Sequence, residues 1–124
     1  MEHIHSPHLI NLIGRTAWSD LPGLLRSSDL VICNNSGIAH LAAAAGSRVL
    51  AIYSGSHQPQ EWGPRGERAQ AIMLDLPCSP CGFERLSECS IDHACMKKIM
   101  PEYVLEQAAA ALQGPQGQVG TMLA

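Results

Sequence analysis

The stretch that most constrains this chain runs from Asp29 to Gly46. Asp29-Leu30-Val31-Ile32-Cys33 is a short apolar run with polar bounds, the pattern of a buried strand. Asn34-Asn35-Ser36-Gly37-Ile38-Ala39-His40 follows and runs directly into Leu41-Ala42-Ala43-Ala44-Ala45-Gly46. The alanine-rich part has high helix propensity, and Gly46 is a natural residue just past a helix C-terminus. The polar heptad therefore sits where a strand hands over to a helix. Free N–H groups and the positive end of the helix dipole point outward at such a junction and suit an anion. Ser36, Gly37 and Ala39 are small enough to let a ligand approach the backbone. His40 lies about one turn after Ser36, so the two share a face. The segment reads as a phosphate site.

The elements around it repeat one pattern. Residues 1–8 form a loose lead-in, whose His3, His5 and His8 read as a solvated terminal cluster rather than a metal site. Leu9-Ile10-Asn11-Leu12-Ile13 predicts a first strand, closed by Gly14-Arg15. Ser19 reads as the N-cap of a helix with Asp20 in its first turn, Pro22 early enough to be tolerated, and Leu21, Leu24 and Leu25 on one face. Leu30 to Cys33 is the second strand and Arg48 to Tyr53 the third, with Ala69 to Leu74 a last one. Strands alternating with helices through short loops predict an α/β domain: a Rossmann-like, doubly wound parallel sheet with flanking helices. Ligands of such sheets bind beyond the carboxyl ends of the strands. Both Asn34–His40 and the loop after Tyr53 fall at that edge and are expected to face one ligand. That loop, Ser54 to Arg68, is long and rich in Gly and Pro, a functional signature in a compact domain. Its Trp62 reads either as a surface for a base or sugar or as a packing anchor for the loop. Pro101 opens a final helix with Val104, Leu105, Ala108 and Leu112 at helical spacing. The domain is thus expected over residues 9–113, with a cysteine-rich loop at 77–96 and a disordered tail at 114–124.

Composition narrows the function. A formal net charge of -3 with scattered basic residues, and only 4% aromatics, argues against a nucleic-acid partner. The first residues have neither a basic nor an apolar region of a signal peptide, and Ile38 to Tyr53 is too interrupted to span a bilayer. A cytoplasmic protein is the expectation, with the inner face of the membrane as its further station. No G-x-G-x-x-G follows a first strand, which disfavours a dinucleotide-binding oxidoreductase.

Five cysteines fit a reducing compartment better than a disulfide framework. Cys78 and Cys81 form a C-x-x-C, and Cys89 and Cys95 follow with His93 between them. Cys78, Cys81, Cys89 and Cys95 are therefore candidate ligands of a structural zinc ion, set against the simpler reading of reduced thiols in a covering loop. Cys33, on its strand, reads as a small core residue.

Taken in order, these residues resemble a known family. Leu12-Ile13-Gly14-Arg15-Thr16, Ser28-Asp29-Leu30-Val31-Ile32, and Asn35-Ser36-Gly37 with His40-Leu41-Ala42-Ala43-Ala44 are similar to the C-terminal domain of family 9 glycosyltransferases, the lipopolysaccharide heptosyltransferases and their relatives. Trp62-Gly63-Pro64 with Gly66, the Cys78–Cys81 pair and Pro101-Glu102-Tyr103-Val104 fit the downstream pattern. The resemblance covers about Ile10 to Leu112. It implies the C-terminal half of a GT-B enzyme, which holds the nucleotide-sugar donor, an ADP-linked heptose in the best-known members. Carried over by position, Ser36 and Gly37 hold the donor diphosphate with His40 close by, and Thr16 touches the nucleobase. Asn35 stands where the family usually has an aspartate facing the donor sugar. Asparagine keeps an acceptor and adds donors but carries no charge, which bears on the sugar that is read. The family's early phosphate-binding lysine has no counterpart, since Lys97 and Lys98 lie far downstream. The resemblance further implies that the catalytic base belongs to an N-terminal acceptor domain outside this chain. Asp29 is read as structural. The chain alone is then expected to bind donor without turnover, to need no cofactor for transfer, and to self-associate through the face its partner domain would cover. The alternative is a small four-cysteine metal-binding module, or an interaction module, with no catalytic role.

Overall fold

Three short, nearly continuous runs of branched and small apolar residues become adjacent parallel strands, the pattern of strands buried on both faces. The computed structural model describes residues 6–113 and 122–123. Its elements, in chain order, are α1 (Leu21–Ser27), β1 (Val31–Asn34), α2 (Gly37–Ala44), β2 (Val49–Tyr53), α3 (Pro59–Trp62), β3 (Ala69–Asp75), a 3-10 turn (Leu86–Glu88), α4 (Ala94–Lys97), α5 (Pro101–Gln113) and β4 (Met122–Leu123). The sheet order is β1-β2-β3-β4 with every pairing parallel. Val31 stands opposite Val49, and Val49 opposite Ala69, so the first three strands start level. The architecture is α/β and Rossmann-like.

Strand alternation divides the core between two faces. Val31, Val49, Ala51, Tyr53, Ala71 and Met73 point toward α1 and α2, where they pack with Leu25, Ala39 and Ala42. Ala39 and Ala42 are fully buried, and their short side chains let α2 lie close on the sheet. Leu50 and Ile72 point the other way, against Ala108 of α5 with Tyr103 and Val104 beside it. Arg48 fastens α5 by donating from Nη1 to the carbonyls of Ala111 (2.6 Å) and Leu112 (3.0 Å), which cap the helix C-terminus. Ser47, buried, donates from Oγ to the carbonyl of Leu25 at 2.8 Å and ties the α2–β2 turn to the end of α1. Gly46 takes a positive φ of 81°, as expected for the residue that ends α2.

Two local expectations are corrected. Leu9–Ile13 forms no strand: Ile10 and Ile13 are 80% and 89% exposed. The Asn11 side chain accepts from the Ile13 amide at 3.0 Å, the Arg15 amide bonds the Leu12 carbonyl, and Gly14 turns with φ 71°. Local turn chemistry at Asn11 and Gly14 thus overrides a weak apolar run that has no strand beside it. The N-cap of α1 is Asp20, not Ser19, and its carboxylate accepts from the Ala17 amide at 2.8 Å. The expected disordered tail lies outside the described residues, apart from Met122–Leu123 in β4.

Candidate donor site at the carboxyl edge of the sheet

In a parallel sheet, the turns that follow the strands gather at one edge. Asn34 is level with Ile52, so Asn35 and Ser36 leave β1 beside the point where Tyr53 and Ser54 leave β2. The Asn35 amide donates to the Ile52 carbonyl at 3.1 Å and holds the two exits together.

Ser36 is the N-cap of α2, with extended φ and ψ of -153° and 171°. Its hydroxyl makes no capping bond, and the first turn carries no acidic side chain. The first-turn amides and the positive dipole end, worth about half a unit charge, are therefore presented to solvent. A Cβ at Gly37 would meet nothing within 4 Å, so the space above this turn is open. Ser36, Gly37 and His40 are all exposed, whereas Ala39 and Ala42 face the core. The three predicted anion-site residues thus share the outer face of α2. Asn35 is exposed beside them, and Thr16 is exposed in the loop ahead of α1.

The loop after β2 adds residues that the motif did not single out. Ser54 Oγ and Ser56 Oγ are 2.7 Å apart, and Ser56 Oγ lies 3.0 Å from His57 Nδ1. The imidazole meets the Trp62 indole edge-on, with centroids 5.8 Å apart and planes at 79°. Tyr53, fully buried at the end of β2, donates its hydroxyl to the Trp62 carbonyl at 2.8 Å. The signal for this group was present in the sequence: polar Ser54, Ser56 and His57 directly after a strand that ends at the ligand-binding edge.

The cysteine-rich loop docks on the same region. The amides of Cys81 and Gly82 donate to the carbonyls of Gly55 (2.9 Å) and Ser56 (3.0 Å). A Cβ on Gly55 would collide with the hydroxyl of Ser79, so glycine permits this approach. Cys81, Cys89, Cys95 and His93 line a cavity of about 190 Å³ together with Ser54 and Ser56, while Cys78 is exposed and lies outside that lining. The His93 amide donates to Cys89 Sγ at 3.3 Å, and His93 Nε2 lies 2.9 Å from the Leu86 carbonyl. Among the described residues, no three His, Cys, Asp or Glu side chains are grouped to hold a metal ion. Lys97 pairs with exposed Asp92 at 2.6 Å, and that hydrogen bond and charge hold the Asp92 carboxyl below its ordinary range. Burial raises the pKa of the Cys33 thiol, which suits the inert core residue expected. A wider cavity of about 800 Å³ lies at the opposite, amino edge, where Arg26, Arg48 and Arg68 meet helix C-termini. It lies away from the candidate site, and its Arg48 is engaged with α5.

Comparison with known proteins now bears on this edge. The family model for glycosyltransferase family 9 (heptosyltransferase) matches residues 1–94. The chain belongs to glycosyltransferase family 9. It is similar to a lipooligosaccharide heptosyltransferase 2 of Campylobacter jejuni, 35% identical over 104 residues, which are 83% of this chain and 32% of that protein. A protein of the same name from a second Campylobacter jejuni strain is 31% identical over 98 residues, 78% of this chain and 30% of the relative. A third of that name, from Haemophilus influenzae, is 34% identical over 65 residues, 52% of this chain and 18% of the relative. The chain therefore spans about a third of the length of the Campylobacter relatives. No solved structure gives a significant match. The parallel sheet with helices on both faces is consistent with part of a GT-B glycosyltransferase. Among the described residues, no helix is long and apolar enough to cross a membrane.

Proposed function

We propose that this domain is the donor half of a family 9 glycosyltransferase, binding a nucleotide-linked sugar at the carboxyl edge of its sheet. The observation that carries the reading is the N-terminus of α2: an uncapped first turn with open space at Gly37, in a chain of this family. The donor diphosphate accepts from the first-turn amides and from the Ser36 hydroxyl, and His40 lies one turn along the same face. The dipole adds roughly 0.3–1 kcal/mol for an anion at an exposed helix end. Thr16 borders the nucleobase. Asn35 faces the glycosyl unit and reads its hydroxyls without a charge.

The names of the relatives favour a heptose moving to a lipooligosaccharide or related glycan acceptor, and the family resemblance favours an ADP-linked donor. Deprotonating the acceptor hydroxyl in line with the donor carbon needs a base on the facing side of the cleft. In this reading that base comes from the acceptor domain. The isolated chain binds donor and does not transfer it.

Calorimetric titration of the chain with ADP, ADP-sugars and UDP-sugars tests the proposal. ADP compounds should bind, and Ser36→Ala should weaken them by roughly tenfold to a hundredfold, the worth of one hydrogen bond to a charged group. Gly37→Val should weaken them further by filling the space the phosphate needs. A folded domain that binds none of these nucleotides would sink the proposal.

A further inference from the structure

We propose that the Trp62 indole is the stacking surface for the glycosyl ring of the donor, with the Ser54–Ser56–His57 chain as the polar rim that reads its hydroxyls. The inference rests on the donor-site reading above and names the part of the ligand that the β2–α3 loop takes.

The sequence left Trp62 with two roles, anchor or platform, and the structure separates them. The loop is anchored through the Trp62 main chain. Its carbonyl accepts from the buried Tyr53 hydroxyl at 2.8 Å, and its amide bonds the Gln58 carbonyl at 3.1 Å. Pro59 is buried, and the Gly63 amide closes the turn on the Pro59 carbonyl at 2.6 Å. None of these contacts uses the indole, and Trp62 as a residue is 57% exposed. A tryptophan on a firmly tied loop, with more than half its surface in water, gives up the apolar burial that would justify it as packing.

Its position supports a ligand role. Asn34 and Ile52 are level on neighbouring strands about 5 Å apart, and Ser36 and Ser54 follow two residues after each, so the serine–histidine chain leaves the sheet on the strand next to the one that leads into α2. Tyr53, at the end of β2, packs with Ala39 and Ala42 of α2 and holds the Trp62 carbonyl. The end of α3 is therefore tied to the sheet face that α2 covers. A pyranose offers an apolar C–H face and a rim of hydroxyls. Trp62 supplies a flat apolar surface for the first. Ser54, Ser56 and His57, held at 2.7 and 3.0 Å from one another, supply donors and acceptors for the second. His57, edge-on at 79°, fixes one side of the indole.

The test compares two probes, ADP and ADP-glucose, on the full chain in a Trp18→Phe background, so that Trp62 is the remaining indole. ADP-glucose should bind roughly twofold to tenfold tighter than ADP, the range of one good aromatic contact, and should alone shift Trp62 emission. Trp62→Ala should remove that preference and leave ADP binding unchanged, whereas Trp62→Phe should keep part of it. Circular dichroism of each variant reports folding, and Trp62→Phe keeps the comparison decisive if the alanine variant unfolds. An unchanged preference in Trp62→Ala, or an equal loss for both probes, overturns the inference while the donor site stands. If the parent chain binds neither probe, the donor-site reading fails and the inference fails with it.

Discussion

Replacing Tyr53 by Phe removes one oxygen and isolates the device that holds the β2–α3 loop. The ring stays in its place among Ala39, Ala42 and Ala51, so the apolar burial of a fully enclosed side chain is retained. What is lost is a 2.8 Å neutral hydrogen bond to the Trp62 carbonyl. A typical neutral bond contributes about 0.5–1.5 kcal/mol net, and a buried carbonyl left without a partner costs about 1–3 kcal/mol. Trp62 lies in a partly exposed loop where water can reach its carbonyl, so the lower range applies, about 1 kcal/mol. That corresponds to roughly a fivefold increase in the population of the opened loop. Urea unfolding should show a midpoint lowered by this free energy divided by the slope, with the slope unchanged because the surface exposed on unfolding is the same. Limited trypsin cleavage after Arg65 and Arg68, on the far side of Trp62, should accelerate by a similar factor at protease levels where reclosing outruns cleavage. Equal stability and equal cleavage rates in the two proteins would refute the claim that Tyr53 ties the loop. A loss of about 3 kcal/mol or more, the top of the range for an unpartnered buried group, would refute it too, by showing that the hydroxyl supports the core itself.

Three further outcomes follow from the same contacts. Gly63→Ala should destabilise the domain by about 1–3 kcal/mol in chemical unfolding, since a Cβ there collides with the Pro59 carbonyl; its φ of -72° is open to any residue, so the cost is steric. Leu50→Ala, at a fully buried position between the sheet and α5, should cost about 2–5 kcal/mol and loosen α5, measurable as lost amide protection from Pro101–Gln113. Burial, then the neighbouring Cys33 charge, raises the Tyr53 phenol above its ordinary value of about 10, and burial also raises the Cys33 thiol. The unfolded chain therefore releases these protons first, so the stability is fully present below the unfolded values and is lost as pH rises through the folded ones. Thermal melts should fall from about pH 9 upward, where the unfolded thiol begins to ionise, and Tyr53→Phe should flatten the upper part of that fall.

The sheet was legible because its strands carry two kinds of signal at once. Arg48 to Tyr53 and Ala69 to Leu74 are apolar, bounded by turn residues and separated by lengths that suit parallel crossovers, and all of this agrees with the registers observed. Leu9–Ile13 carries only the first kind, and Asn11 and Gly14 decide its course instead. The shared exposed face of Ser36, Gly37 and His40 was legible because helical spacing alone puts them there. The Tyr53 tether was not, since a hydroxyl reaching nine residues along the chain leaves no periodic mark. Nor was the division of the cysteines, because spacing cannot tell that Cys78 is exposed while Cys81, Cys89 and Cys95 line one cavity with His93.

The α2 turn and the β2 loop can be asked whether they serve one ligand or two. If Ser36 meets the diphosphate and Trp62 the glycosyl ring of the same molecule, each residue acts on a different group of one donor. Ser36→Ala should then weaken ADP and ADP-glucose alike, and Trp62→Ala should weaken ADP-glucose alone. In the double variant the two losses should add within about 0.5 kcal/mol, because neither side chain bonds the other and the donor bridges them. Asn34 and Ile52 are level on adjacent strands, so the α2 turn and the β2–α3 loop leave the sheet at the same edge. Were the tryptophan instead a support for the α2 turn, Trp62→Ala would weaken ADP as strongly as ADP-glucose. The double variant would then lose less than the sum, since the first change would already have disordered what the second removes. Calorimetry on four proteins with two nucleotides distinguishes these cases, and only additive losses, with the Trp62 loss confined to the sugar-bearing probe, fit a single donor spanning both loops.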